Sequence, residues 1–206
     1  REEEKINAGI LFCPGDPELV AIKRKTHNLN VDYNNTYEDE IEKRASILSE
    51  IIGEFGEGSR IQGAIFFHYG KHFFGNFNLT IQDDAEVTIG DNCNFGPNVT
   101  IVTPIHPMLA NERRELLTAT GEKKLLCYAK PVHIENDCWF GASVTVCPGV
   151  TIGDNCVIGA GSVVTHDIPA NSFAAGVPCK VIRKLTEADS MKNKPEILAD
   201  NVVIEP

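Results

Sequence analysis

Between Val132 and Val164 the chain repeats itself every six residues: Ile134-Glu-Asn-Asp-Cys138-Trp139, Phe140-Gly-Ala-Ser-Val144-Thr145, Val146-Cys-Pro-Gly-Val150-Thr151, Ile152-Gly-Asp-Asn-Cys156-Val157, Ile158-Gly-Ala-Gly-Ser162-Val163. An apolar residue opens each hexad, and a small or apolar one usually stands four places later. Self-similarity at this period marks a parallel β-helix, in which each hexad supplies one short strand and one turn. Three hexads close a triangular coil, so Ile134 stacks under Ile152, Phe140 under Ile158, Val146 under Val164 and Cys138 under Cys156. The same register runs from Phe77 to Val102, where Ile89-Gly-Asp-Asn-Cys93 anticipates Ile152-Gly-Asp-Asn-Cys156.

The register is interrupted. It stops at Thr103-Pro104 and resumes near Val132, leaving an excursion over 104–130 that is charged in its middle. Long loops thrown from a rigid scaffold usually carry function. Ahead of the hexads, residues 1 to about 55 read as helical. Asp16-Pro17-Glu18 combines an N-cap, a proline at the first helical position and an acid in the first turn. Leu19, Ile22 and Leu29 follow at roughly helical spacing. Thr36-Tyr-Glu-Asp39 resembles a capping box that opens a second helix, with Ile41, Ala45, Leu48, Ile51 and Ile52 on one stripe. Gly53-Glu-Phe-Gly-Glu-Gly58 ends it. A solenoid needs its first coil covered, and a helical cap does that. The expected organisation is a helical cap over 1–58, a β-helix over 59–185 with its insertion at 104–130, and a tail over 186–206 with no strong period.

A formal charge of −10 argues against nucleic acid or an anionic membrane as the main partner. No apolar run approaches the ~18 residues of a membrane helix, and the opening REEEK is unlike a signal peptide. The seven cysteines show no C-x-x-C spacing. Cys93, Cys138 and Cys156 all occupy the inward fifth place of a hexad, so buried reduced thiols and a cytoplasmic setting are expected.

Ala8-Gly9-Ile-Leu-Phe12 with Asp16-Pro17-Glu18-Leu19, then Asn76-Phe77-Asn78, Asp83-Asp84, Ile105-His106-Pro107, Trp139-Phe140-Gly141-Ala142 and Ala175-Gly176-Val177-Pro178 form an ordered set. Over about residues 4 to 185 it resembles the maltose/galactoside O-acetyltransferases, acetyl-CoA-dependent enzymes of the hexapeptide group. The resemblance implies a left-handed hand for the helix, the exception to the right-handed rule for parallel crossovers. It also implies a homotrimer with active sites between subunits, acetyl-CoA as co-substrate with no metal, and a small sugar acceptor.

Acetyl transfer to a hydroxyl needs a base, a donor facing the developing oxyanion and a hold on the CoA chain. His106 stands where regular strands give way to the excursion, an imidazole titrates near working pH, and the family's catalytic histidine falls here. By the same resemblance Asn76 and Asp84 grasp the sugar, and Trp139, the only tryptophan, walls the site. Gly141, Ala142 and Ala160 border the pantetheine arm, with an amide near Gly141 or Ala142 as oxyanion donor. Thr165 and His166 contact the CoA chain, and Lys180 and Arg183 meet its phosphates. His68 and His72 could border the acceptor cleft, whereas His27 and His133 read as structural. Two departures stand out. The family's aspartate after the Leu-Phe of the cap is replaced at its slot by Pro14, and only Lys71-His72 bridges a gap where the family has about six more residues.

Rival readings keep the prism and change the chemistry. One acetylates another hydroxyl or an amine, such as an antibiotic or amino sugar. A metal-dependent enzyme of the γ-carbonic anhydrase kind needs three histidines meeting across a subunit boundary, and His106, His133 and His166 lack the usual spacing. A non-catalytic assembly subunit would have no use for His106 in its T-x-x-HP setting.

Overall fold

The computed structural model describes residues 1–52, 65–67, 76 and 78–194. His68, His72, the Lys71-His72 junction, the glycine-rich break and the end of the tail lie outside the described residues.

The hexads wind as a left-handed parallel β-helix of triangular section. Its first face stacks Ile65–Phe67, Leu79–Gln82, Thr100–Val102, Thr145–Val146 and Val163–Val164. The second stacks Val87–Ile89, Val132–Ile134 and Thr151–Ile152, and the third Asn94–Phe95, Trp139–Phe140, Val157–Ile158 and Ser172–Ala175. The pairings Ile134 with Ile152, Phe140 with Ile158 and Val146 with Val164 are those the period predicts. Ile134, Phe140, Val146, Ile152 and Ile158, which open their hexads, are buried, and Phe95 stacks on Phe140 with ring centroids 4.5 Å apart. Corners turn through residues with positive φ, such as Asn92, Asp137, Asn155 and Asn171, a conformation that asparagine and aspartate tolerate better than most. Their side chains bond from coil to coil: Asn92 Nδ2 donates to Asp137 Oδ1 at 3.0 Å, and Asn155 Nδ2 to Asn171 Oδ1 at 2.9 Å. Inside the same corner Cys93, Cys138 and Cys156 are buried, as their place in the hexad predicts.

The last coil does not continue. After Ser172–Ala175 the chain reverses, and Lys180–Lys184 pairs antiparallel along the edge of the third face.

Three helices form the cap: α1 (Glu2–Asn7), α2 (Pro17–Asn34) and α3 (Ile41–Ile51). Asp16 caps α2 as expected, its side chain accepting from the Glu18 amide at 3.0 Å. Asn34 fastens α2 to the first face, donating to the Ile65 carbonyl at 2.9 Å and accepting from the Ile65 amide at 2.8 Å. The expected capping box at Thr36 does not form. The Thr36 hydroxyl donates to the Tyr33 carbonyl at 2.6 Å, closing α2, and Glu40 takes the cap position of α3. Ile41 is consequently 71% exposed, outside the buried stripe that Leu48, Ile51 and Ile52 continue.

The excursion is structured. Pro104–Ile105 pairs antiparallel with Tyr128–Ala129, closing its neck. Beyond lie α4 (Ala110–Arg114) and a small hairpin of Leu116–Leu117 with Lys123–Lys124. Phe12 of the cap bridges to Cys127, and Ile6, Phe12, Leu19, Ala85, Cys127 and Ala129 bury a second, smaller core between cap and neck. That core sets the cap against the corner where the first face gives way to the second.

Candidate active site

His106 follows directly on Pro104–Ile105, so the paired neck of the excursion fixes where its backbone leaves the prism. The side chain is exposed. Asp84 belongs to the same corner one coil earlier, in the turn between Leu79–Gln82 and Val87–Ile89. The sequence leaves open whether this carboxyl is solvated; the structure buries it to 6% exposure. Burial pushes its pKa above the usual aspartate range, opposed by the Lys23 ammonium, a hydrogen bond involving Gln82, and the nearby His106 ring. Asp84 and His106 are thus within electrostatic reach of one another.

Lys23 escaped the sequence reading. It lies on α2, and only the docking of that helix brings it to Asp84; no local motif could have announced it. Its Nζ donates to the Pro14 carbonyl at 2.8 Å, so the slot where the family has an aspartate holds a carbonyl and an ammonium in this chain. Beside them a cavity of about 550 Å³ opens between cap and prism, lined by Glu3, Ile6, Leu19, Asp83, Asp84 and Glu86 among others. Cys127 borders the same region, its thiol pushed up to about 11 by burial and then by the charge of Asp84.

The remaining site residues lie elsewhere on the prism. Gly141, Ala142 and Ala160 occupy the corner between the third and first faces, and Asn76 precedes the first-face strand Leu79–Gln82 at that corner. Small side chains leave this corner shallow. The Gly141 amide is already bonded to the Ile158 carbonyl at 2.8 Å, which corrects its candidacy as oxyanion donor and leaves the Ala142 amide as the remaining one of the pair. Trp139, 57% exposed, stands on the third face between Asn94 and Val157. Thr165 and His166 share the corner of Asp84 and His106 at the last coil, where Thr165 Oγ1 lies 2.9 Å from His166 Nδ1. Lys180 and Arg183 ride the reversed edge strand. Arg183 is engaged: both its terminal nitrogens donate to Asp189, at 2.7 and 2.6 Å, and its guanidinium lies 5.6 Å from the Phe173 ring centre.

The candidates therefore fall into two groups. Asp84, His106, Thr165 and His166 hold one corner, whereas Asn76, Gly141, Ala142 and Ala160 hold another. The width of the first face separates the corners, roughly 15–20 Å for six residues at ~3.3 Å each. One chain does not bring the two groups together. Among the described residues no three of His, Cys, Asp or Glu converge as a metal-binding group, and no helix is long and apolar enough to cross a membrane.

Comparison with known proteins adds to this geometry. Residues 86–106 and 131–166 match the family model for the hexapeptide repeat of succinyl-transferase, and residues 5–56 match the maltose acetyltransferase hexapeptide capping motif. The chain is 44% identical over 195 residues to galactoside O-acetyltransferase of Escherichia coli K12, covering 90% of each chain. It is 37% identical to the galactoside O-acetyltransferase of Lactococcus lactis IL1403, covering 90% of this chain and 89% of that one. Among solved structures, a maltose O-acetyltransferase from Clostridium difficile 630 superposes with a TM-score of 0.82 at 40% identity, covering 90% of this chain and 98% of that one. A galactoside acetyltransferase in complex with coenzyme A superposes with a TM-score of 0.83 at 39% identity, covering 100% and 99% of the two chains.

Proposed function

We propose, from the premise that this chain belongs to the maltose/galactoside O-acetyltransferase family of hexapeptide-repeat proteins, that it acetylates a hydroxyl of a sugar or glycoside with His106 as general base. The chain is an acetyl-CoA-dependent O-acetyltransferase. In the proposed reaction His106 takes the proton of the acceptor hydroxyl as its oxygen attacks the thioester carbonyl. The tetrahedral intermediate carries the charge on the former carbonyl oxygen, opposite the Ala142 amide. Collapse breaks the C–S bond, the CoA thiolate leaves and takes up the proton, and the acetyl ester departs. In this reading Asp84 accepts from the sugar's hydroxyls, beside the imidazole.

The observation that carries this reading is the convergence of a buried carboxylate and an exposed imidazole at one corner. The two-corner arrangement supports active sites between subunits of a homotrimer, since a neighbouring copy can present its alanine-lined corner to His106. Seven free cysteines suit a reducing compartment, and we place the protein in the cytoplasm. The carboxylates of Glu3, Asp83, Asp84 and Glu86 around the cavity favour, as a second reading, an acceptor that also bears an amine.

Thiol release from acetyl-CoA across sugars, glycosides and amino sugars tests the proposal. His106→Ala should lose ~10² to 10⁴ of the rate with the best acceptor. Equal rates would remove the histidine from the mechanism. Co-expressing His106→Ala with Ala142→Trp, each inactive alone, should restore partial activity if sites are shared between copies; no recovery in a mixed oligomer would place each site within one chain.

A further inference from the structure

Thr103 has no part in the chemistry described above, yet its side chain is fully buried at 0% exposure. It is the last residue of the regular register before the excursion departs. Its hydroxyl donates to the Gln82 carbonyl at 2.8 Å and accepts from the Ala85 amide at 3.0 Å. Its own amide donates to the same Gln82 carbonyl at 3.0 Å, and its carbonyl accepts from the Lys130 amide at 3.0 Å. Gln82 and Ala85 bracket Asp83 and Asp84; Thr103 and Lys130 are the two ends of the excursion that presents His106.

From these four bonds we infer that Thr103 is a positioning residue, whose hydroxyl locks the turn bearing Asp84 to the neck of the loop bearing His106. The inference rests on the proposed roles of those two residues. The hydroxyl spans the turn from its first carbonyl to its last amide, so the Asp84 backbone cannot tilt without breaking a bond in a dry site. Valine has nearly the same shape and fills the same space, but it leaves the Ala85 amide buried with no acceptor there. The turn then has reason to twist toward another acceptor, taking Asp84 with it. Misplacement by about 1 Å can cost ~10²-fold in rate. The alanine-lined corner lies a face away and is untouched, so the disturbance is local to the acceptor side.

The test compares Thr103→Val with Thr103→Ser in the full-length protein, by steady-state kinetics with acetyl-CoA and the best acceptor. Val should lower kcat roughly ten- to a hundred-fold while the acetyl-CoA KM stays within about twofold, and Ser, which keeps the hydroxyl, should recover most of the rate. In an Asp84→Asn background the Val penalty should shrink to about twofold, because residues acting as one unit are not additive. A Val variant with the parent kcat, a Ser variant as impaired as Val, or full additivity with Asp84→Asn would each overturn the assignment. Hydrogen exchange of the Ala85 amide needs no substrate: Val should quicken it about tenfold or more and Ser should not. Unchanged exchange in Val would overturn the lock even were the parent protein to transfer no acetyl group, an outcome that would instead sink the functional reading.

Discussion

Gly141 and Ala160 face each other across adjacent coils so closely that a Cβ on Gly141 would stand 2.6 Å from the Ala160 amide nitrogen. The obstacle is backbone, which cannot swing aside. Gly141→Ala should therefore force two coils apart at the corner assigned to the pantetheine arm. Overpacking of this kind costs about 1–3 kcal/mol, which for a chain of this size is a fall in Tm of several degrees. Scanning calorimetry reads the stability loss, and a raised acetyl-CoA KM reads the distorted groove.

Burial of the Asp84 carboxyl costs stability. Its folded pKa lies above the usual 3.8 because burial disfavours the charged form. Between those two values the folded chain binds more protons than the unfolded one, so stability falls as pH rises through that window and stays reduced above it. Asp84→Asn removes the penalty. The variant should melt higher than the parent at pH 7, with roughly 2–4 °C expected per kcal/mol regained. The gain should vanish below pH 3.8, and acetyl transfer should drop. Thermal melts from pH 3 to 8 check the sign; an Asn variant that melts lower at pH 7 contradicts it.

The Arg183–Asp189 pair engages a residue proposed to meet the CoA phosphates. Asp189 is held down to about 2, first by its hydrogen bonds to Arg183 and then by the Thr186 amide. Its folded pKa is depressed, so the pairing persists above the ordinary carboxylate range and is lost only as pH falls toward about 2. On the proposed donor-binding role of Arg183, a CoA phosphate would have to share or displace this carboxylate at working pH. Asp189→Asn should tighten acetyl-CoA binding by about two- to fivefold at low ionic strength, and the gain should fade with salt, as exposed pairs do. Calorimetric titration at two salt concentrations measures it.

Thiol accessibility separates the cysteines. Cys93, Cys127, Cys138, Cys156 and Cys179 are buried, whereas Cys13 and Cys147 are half-buried. Burial also pushes up the thiols of Cys147 and Cys179; at Cys138, against the lowering effect of the Cys156 thiol, the Cys93 thiol and burial together take it to about 11. In the native protein near pH 8 a disulfide reagent should titrate at most Cys13 and Cys147, and in denaturant all seven. Rapid native modification of five or more would mean the ladder opens readily.

The prism was legible because a strict six-residue period leaves an inward position little choice: Ile134, Phe140, Val146 and their partners land where spacing alone puts them. The cap was legible at Asp16, whose cap chemistry is local, and misread at Thr36. There the competing acceptor was the last turn of α2, a non-local outcome of where that helix stops. The content of the excursion had no period to betray it, since strands of two residues and a five-residue helix are too short for one. Lys23 was hidden for the same reason, and Thr103, though part of the T-x-x-HP motif, gave no sign of its partners. Each matters through a partner distant in sequence, and neither the bonds of a threonine between two strands nor those of a lysine on a helix are visible until the fold is closed. Asp84 was named by resemblance and His106 by resemblance together with its chemistry and place, and no spacing between them foretells that they share a corner.

The reversal at Lys180–Lys184 has a consequence for assembly. A solenoid whose final rung ran parallel would offer its successor a ready template, and copies could string together into fibres. Here the last strand doubles back, is exposed and carries Lys180, Arg183 and Lys184, so a β-segment added beside it meets mismatched direction and a row of basic side chains. Strand addition along the third face is thereby disfavoured at this end.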